Sequence, residues 1–253
     1  MFHTAERTTR TDHSENPIFQ RHLIAYHEAA KRISGNVLEI GCGEGYGIPM
    51  LAPQCESYTA IDKFQTEVSN LPGNAKFIQM SVPFLPDFAD NSFDFVVSFQ
   101  VIEHIEDDVT FLKEIFRVLK PGGTLIFTTP NRLMSLSRNP WHVREYTPIE
   151  MAKHIEKAFS TYDLQGVFGN EKVMDYYEKN KAGVQKFTRF DIFNLQYLLP
   201  RRLLQIPYDI ANRMNRRMLS KQSTGLVNDI VWTDYFIAPI QDQALDYFAI
   251  CTK

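Results

Sequence analysis

Apolar residues along this chain follow two rhythms. Short continuous runs occur at about 36–40, 57–61, 76–80, 93–99 and 123–129, and between them apolar positions recur every three or four residues. The runs are too short for helices and read as strands buried on both faces, while the intervening rhythm reads as amphipathic helices. The clearest helix runs from Asp107 to Leu119. Phe111, Leu112, Ile115, Phe116 and Leu119 form one stripe, and Asp107 and Asp108 sit in its first turn, where the positive end of the helix favours them. Upstream, Asn16-Pro17 predicts an N-cap followed by proline at the first helical position. That helix continues to about Ile33 and Gly35 ends it. Downstream, a helix from Pro148 to Phe159 with Thr147 as its cap, a strand over Tyr162 to Phe168 and a last strand over Leu245 to Thr252 extend the pattern. Alternating strands and helices require a parallel sheet covered on both faces, and right-handed crossovers make it a doubly wound α/β fold. Residues 1–15 are polar and predict a flexible N-terminus; 16–253 read as a single domain. About 170–240 is an insertion that the sheet does not need. It runs through Phe187-Thr188-Arg189-Phe190 to Lys221, is rich in Leu, Ile, Tyr and Met, and reads as a helical cap.

The first strand ends in a turn that carries chemistry. Val37-Leu38-Glu39-Ile40 runs into Gly41-Cys42-Gly43-Glu44-Gly45, and Asp62 follows 17 residues after Gly45. A buried strand that stops at a glycine-rich turn lets a ligand lie against bare backbone. An acid at the end of the next strand can accept hydrogen bonds from two ribose hydroxyls. Together they describe a nucleoside site. The dinucleotide spacing G-x-G-x-x-G requires a third glycine where Tyr46 stands; here the spacing is G-x-G-x-G. A pyrophosphate prefers a helix N-terminus with no carboxylate beside it. Glu39 and Glu44 instead suit a ligand with an ammonium and a sulfonium.

At this point the chain resembles the class I S-adenosylmethionine-dependent methyltransferases, whose first motif is E-x-G-x-G-x-G after a strand. Four further segments match in order. Tyr58-Thr59-Ala60-Ile61-Asp62 matches the acidic second motif, and Ser92-Phe93-Asp94-Phe95-Val96-Val97-Ser98 the fourth strand. Val101-Ile102-Glu103-His104-Ile105 matches the segment after it. Leu119-Lys120-Pro121-Gly122-Gly123 matches the turn before the fifth strand, which runs from Thr124 to Asn131. The matched core spans about 35–131. The pattern looks like the type 11 branch, which acts on small molecules, lipids and saccharides. Asn139 to Thr147 resembles a segment of bacterial members linked with surface-polysaccharide or lipid biosynthesis. The resemblance implies a Rossmann-like, seven-stranded sheet, its last strand antiparallel between strands five and six in space, with the helical insertion between strands six and seven in sequence. It implies S-adenosylmethionine as cofactor, S-adenosylhomocysteine as product and a small-molecule, lipid or saccharide acceptor, with oxygen the favoured nucleophile.

Carried onto these residues, the resemblance assigns Gly41, Gly43 and Gly45, with Glu39 before them, to the methionine moiety and adjacent ribose. Asp62 goes to the ribose hydroxyls, and Lys63 and Phe64 flank the adenine. Where many relatives have an aspartate for the adenine amino group, this chain has Met80-Ser81, so a methionine face and a hydroxyl take that place. Phe99-Gln100 leaves the fourth strand at the ligand-binding edge, where Gln100 can meet the carboxylate or ammonium group of the donor. His142, in a polar cluster with Arg144, Glu145 and Tyr146, is the first candidate for a general base, or else it braces the helix at Pro148. His104 is the second, or else Glu103-His104 braces its loop. Trp141 lines the acceptor pocket or covers the core. Cys42 reads as a small residue in a tight turn. No metal site is expected.

Composition narrows the classes. Hydrophobic content of 44% with 23% charged residues is that of an ordinary globular chain, and a net charge of −3 gives no global pull toward nucleic acid. Three widely spaced cysteines, Cys42, Cys55 and Cys251, fit neither a disulfide framework nor a zinc site. With no apolar leader among the first 20 residues and no long apolar span, the expected location is cytoplasmic. The charge is segregated. Lys186 to Lys221 holds eight basic residues against Asp191 and Asp209. Such a segment suits an anionic acceptor or peripheral contact with an anionic membrane, or it forms an ordinary exposed helical face. The rival readings are a non-catalytic module that binds the same donor and an NAD(P)-dependent oxidoreductase.

Overall fold

The computed structural model describes residues 13–65, 70–189, 191 and 195–253. In chain order the elements are α1 (Asn16–Ala30), β1 (Asn36–Ile40), α2 (Ile48–Leu51), β2 (Ser57–Asp62), β3 (Ala75–Gln79), β4 (Phe93–Phe99), α3 (Asp108–Val118), β5 (Leu119–Pro130), α4 (Pro148–Ile155), β6 (Thr161–Gly169), α5 (Glu171–Thr188), α6 (Leu195–Leu198), α7 (Arg201–Gln222), α8 (Thr224–Asp229), β7 (Tyr235–Pro239) and β8 (Asp246–Thr252). The sheet has the order β3-β2-β1-β4-β5-β8-β6-β7. β1 pairs in parallel with both β2 and β4, and β8 lies antiparallel between β5 and β6. The five expected parallel strands and the antiparallel insertion are therefore present. The expected count of seven becomes eight, because Tyr235–Pro239, placed in the helical insertion by the sequence reading, forms the strand β7. The chain runs from β1 outward to β2 and β3 and then crosses back to β4 on the other side of β1, so the C-terminal end of β1 is a switch point of the kind where such sheets bind ligands.

The residues form two compact units. One comprises Leu23–Met134, Arg144–Phe168 and Ile237–Lys253 and holds most of the sheet. Its core joins Leu38 and Ile40 of β1, Val96 of β4, Leu125 and Phe127 of β5, and the buried stripe Phe111, Leu112, Ile115 and Val118 of α3. The helix starts where expected because the Asp107 side chain accepts from the Thr110 amide at 3.1 Å. α4 begins at Pro148 with Thr147 and Glu150 capping each other, and ends at Ile155, four residues before Phe159.

The other unit comprises the described residues of Met1–His22 together with Ser135–Val143 and Gly169–Phe236. Val173, Tyr176, Leu219, Val227 and Ile230 are buried within it. The helices α5 and α7 approach closely where the Asn215 amide donates to Asn180 at 2.6 Å and Gly183 faces Asn215 without room for a Cβ. The expected N-terminal cap changes role here. Asn16 lies inside α1, and its side-chain amide donates to the carbonyls of Val227 and Ile230 at 2.7 and 2.9 Å. Of the expected flexible N-terminus, residues 1–12 lie outside the described residues, as does Phe190. His13–Glu15 form a 3-10 turn with Ser14 and Glu15 buried, and Glu15 pairs with Arg216 at 3.2 Å.

Candidate functional site

The turn after β1 is built by backbone. Gly41 and Cys42 both donate to the Ile61 carbonyl, at 2.8 and 3.1 Å, which ties the turn to the end of β2. Gly41, Gly43 and Gly45 have φ of 80°, 58° and 77°, the left-handed region that favours glycine. Gly41 has a second requirement, since a Cβ there would lie 2.3 Å from Cγ2 of Val101. Around Gly43 the space is open, with no atom within 4 Å of where a Cβ would stand. The Gly43 amide donates to Asp62 Oδ2 at 3.0 Å and the Phe64 amide to Oδ1 at 2.9 Å. Two backbone donors thus fix the half-buried carboxylate at the mouth of the turn. A carboxylate has roughly four acceptor positions, so this one can also take a ligand hydroxyl. An open turn without Cβ atoms beside an oriented acid fits a ribose and the chain attached to it.

Glu39 differs from expectation. It is buried, and its two oxygens accept from the hydroxyls of Tyr26 and Tyr58, each at 2.7 Å. Burial raises its pKa against the pull of these two hydroxyls, and the Asp62 charge adds to the rise. Burial, then the neighbouring Glu39, holds both tyrosines well above their ordinary range. Phe99 is also buried and meets Tyr26 edge-on at 4.7 Å between ring centroids. These residues form the floor under the turn, and their side chains are committed to one another.

Gln100 follows with φ +57°, a conformation a non-glycine residue adopts rarely and that often marks function. Its amide donates to Thr128 Oγ1 at 3.1 Å, so the side-chain carbonyl is the end directed away from that bond. Lys63 lies 5.0 Å over the Phe64 ring, and both are exposed. Met80 packs against the core edge, and Ser81 is exposed. Cys42 is buried, as a small turn residue should be.

The two histidines belong to different units. His104 is half-buried in a 3-10 turn, with Nε2 4.0 Å from Glu103 Oε1. Glu103 is buried and accepts from Thr129 Oγ1 at 2.9 Å, so it braces the exit of β4 against β5. His142 belongs to the helical unit. Its Nε2 is 2.9 Å from Asn139 Nδ2, and its carbonyl accepts from Arg201 at 3.3 Å. Trp141 donates to Asp209 at 2.9 Å. Arg144 and Tyr146, expected in one polar cluster with His142, both bond to Asp108. Sequence reasoning missed Tyr26, Tyr58, Thr128 and Asp108. Each is an ordinary core or helix residue by pattern, and only tertiary placement gives it a polar partner.

A family described as "Methyltransferase domain" matches residues 38–127. A probable S-adenosylmethionine-dependent methyltransferase of Mycolicibacterium smegmatis is 38% identical over 174 residues, covering 65% of this chain and 68% of the relative. A ubiquinone biosynthesis O-methyltransferase of Rickettsia felis is 31% identical over 130 residues, covering 47% of this chain and 52% of the relative. Among solved structures, the [4+2]-cyclase SpnF superposes with a TM-score of 0.56 at 16% identity, over 94% of this chain and 80% of its own, a likeness of fold.

Proposed function

This chain belongs to the S-adenosylmethionine-dependent methyltransferases of class I fold, and on that premise we propose that it methylates an oxygen of a small-molecule, lipid or saccharide acceptor. Support for oxygen comes from the ubiquinone-pathway relative, whose name states O-methylation. The oxidoreductase alternative falls with the family assignment. The observation that carries the site is the open turn at Gly43 beside an Asp62 carboxylate oriented by two backbone amides.

S-adenosylmethionine supplies a methyl group already activated by its positive sulfur. The protein has to bind, align and manage one proton. We assign Gly41, Gly43 and Gly45 to the backbone surface on which the donor lies, and Asp62 to the ribose hydroxyls. Lys63, Phe64, Met80 and Ser81 border the adenine. The Gln100 carbonyl accepts from the ammonium group, since its amide nitrogen is engaged by Thr128. Glu39 and Phe99 are positioning residues, acting through Tyr26 and Tyr58. His104 or His142 takes the proton of the acceptor hydroxyl.

Calorimetry with S-adenosylhomocysteine tests the site. Asp62→Ala should weaken binding by about tenfold or more through loss of charge-assisted hydrogen bonds, with NADH giving no heat in either protein. Micromolar NADH binding with no response to S-adenosylhomocysteine would overturn the assignment. Turnover against phenolic, lipid and saccharide acceptors then tests the reaction. Loss of the base should lower kcat by about a hundredfold or more. If His104→Ala and His142→Ala both keep full kcat at saturating acceptor, neither is the base.

A further inference from the structure

Helix α7 presents an apolar face to solvent. Leu203, Ile206, Ile210, Met214 and Met218 follow one another at intervals of three or four residues, so they form one stripe, and each is between 44% and 71% exposed. The opposite face packs inward, with Asn215 and Leu219 buried. α6, just before it, adds the exposed Tyr197 and Leu198. The stripe from 203 to 218 is about 22 Å long at the rise of an α-helix. A contiguous apolar strip of this length marks a surface that meets something else.

Charge identifies what it meets. Arg202 and Arg217 run along one flank of the stripe and Lys221 closes its end, all exposed. The only acid on α7, Asp209, is half-buried and accepts from Trp141. Arg216 is turned inward toward Glu15. The exposed residues of α7 therefore combine aliphatic side chains with arginines and include no carboxylate. A second copy of this chain would bring arginine rows together without counter-charge. An anionic lipid surface provides both what the stripe needs and what the arginines need. Aliphatic residues enter the headgroup boundary, and long basic side chains reach back to phosphate.

We propose that the outward face of α7 is a monotopic membrane-binding surface, which holds the protein on anionic bilayers with the helix axis in the interface plane. This is separate from the methyl-transfer reading and does not depend on it. No described helix is long and apolar enough to cross a membrane, and a stripe on one face serves only to lie on it.

The test is sedimentation of the full chain with vesicles of phosphatidylcholine alone and with about a third phosphatidylglycerol, a composition chosen to carry the surface charge that basic side chains sense. Binding should need the anionic lipid and fall as salt rises. Ile206→Glu with Ile210→Glu should abolish it. Arg202→Gln with Arg217→Gln should weaken it about 25-fold, about fivefold for each charge near an anionic surface. All four positions are exposed, so folding should survive; circular dichroism and unchanged S-adenosylhomocysteine binding verify it. Absence of binding to anionic vesicles at low salt would overturn the proposal. So would equal binding by the Ile206→Glu, Ile210→Glu variant. If those glutamates only convert a dimer to a monomer in analytical ultracentrifugation, the face is an interface between copies and the membrane assignment is wrong.

Discussion

Glu39 holds two hydroxyls that would otherwise be buried without an acceptor. Tyr26 and Tyr58 each donate to one of its oxygens, and all three side chains are nearly inaccessible. Removing the acceptor leaves both phenols in a site water does not reach, at about 1–3 kcal/mol for each buried group left unsatisfied. Glu39→Ala should therefore lower unfolding free energy in urea by about 2–6 kcal/mol. Glu39→Gln keeps an oxygen for one hydroxyl, and its amide can donate to the other if that phenol rotates, so its loss should stay under about 1.5 kcal/mol. Equal losses for the two variants would show that the tyrosines draw nothing from the carboxylate. The acid itself was legible, since it stands two residues before the first glycine of the turn. Its partners were not. They lie 13 residues before and 19 after it, on α1 and β2, and a tyrosine at an apolar position reads as packing until tertiary structure gives its hydroxyl a neighbour. Gly41 divides in the same way. The turn predicts its backbone angle, but the contact with Val101 is visible only once β4 lies beside β1.

Asp108 does for α3 and α4 what Glu39 does for the turn. Asp107 caps α3, as its position predicts, while Asp108 is buried and receives Arg144 and Tyr146. From α4, His154 brings Nε2 to 3.0 Å from Asp108 Oδ1. Lys157 Nζ sits 3.3 Å from the other ring nitrogen. An ammonium only donates, so Nδ1 accepts and the ring proton of the neutral form is on Nε2, close to the carboxylate but out of line for a hydrogen bond. Burial, then the Lys157 and Arg144 charges, pushes the His154 pKa down to about 4. The unfolded chain takes up this proton near pH 6.5, the folded one only near 4. Between those values the unfolded state binds more protons, so stability falls as pH drops through the window. The melting temperature of the parent should therefore decline from pH 6.5 to 4 more steeply than that of His154→Gln. Parallel curves would mean that His154 is already charged at neutral pH. At this scale the sequence pattern served well for strands β1 to β6 and for α3. It failed for β7, a five-residue run inside a helix-rich segment with too few positions to show a period. It also failed for Asn16, whose amide is taken by carbonyls more than 200 residues along the chain.

Across the whole molecule the charge is uneven. A net charge of −3 would by itself keep the protein off an anionic surface, yet α7 carries six basic residues and one acid. Screening at physiological salt confines each field to about 8 Å, so the local face and not the net charge decides what α7 meets. The proposed donor-binding residues, Gly41 to Gly45, Asp62 and Gln100, all lie in the sheet unit, and the α7 face lies in the helical unit. Each unit buries apolar residues of its own. Effects of substitutions that share no partners add. Asp62→Ala should therefore lose S-adenosylhomocysteine binding while keeping its vesicle affinity, and Arg202→Gln with Arg217→Gln should do the reverse. Saturating S-adenosylhomocysteine should leave the vesicle dissociation constant unchanged within about twofold, since coupling beyond roughly 1 kcal/mol requires a state that both ligands sense. Linkage makes the same measurement decisive in the other direction. If donor analogue tightens vesicle binding by some factor, vesicles must tighten analogue binding by that factor. Titrating each ligand in the presence of the other separates an enzyme that carries an independent membrane anchor from one whose methyl-transfer site is switched on by the lipid surface.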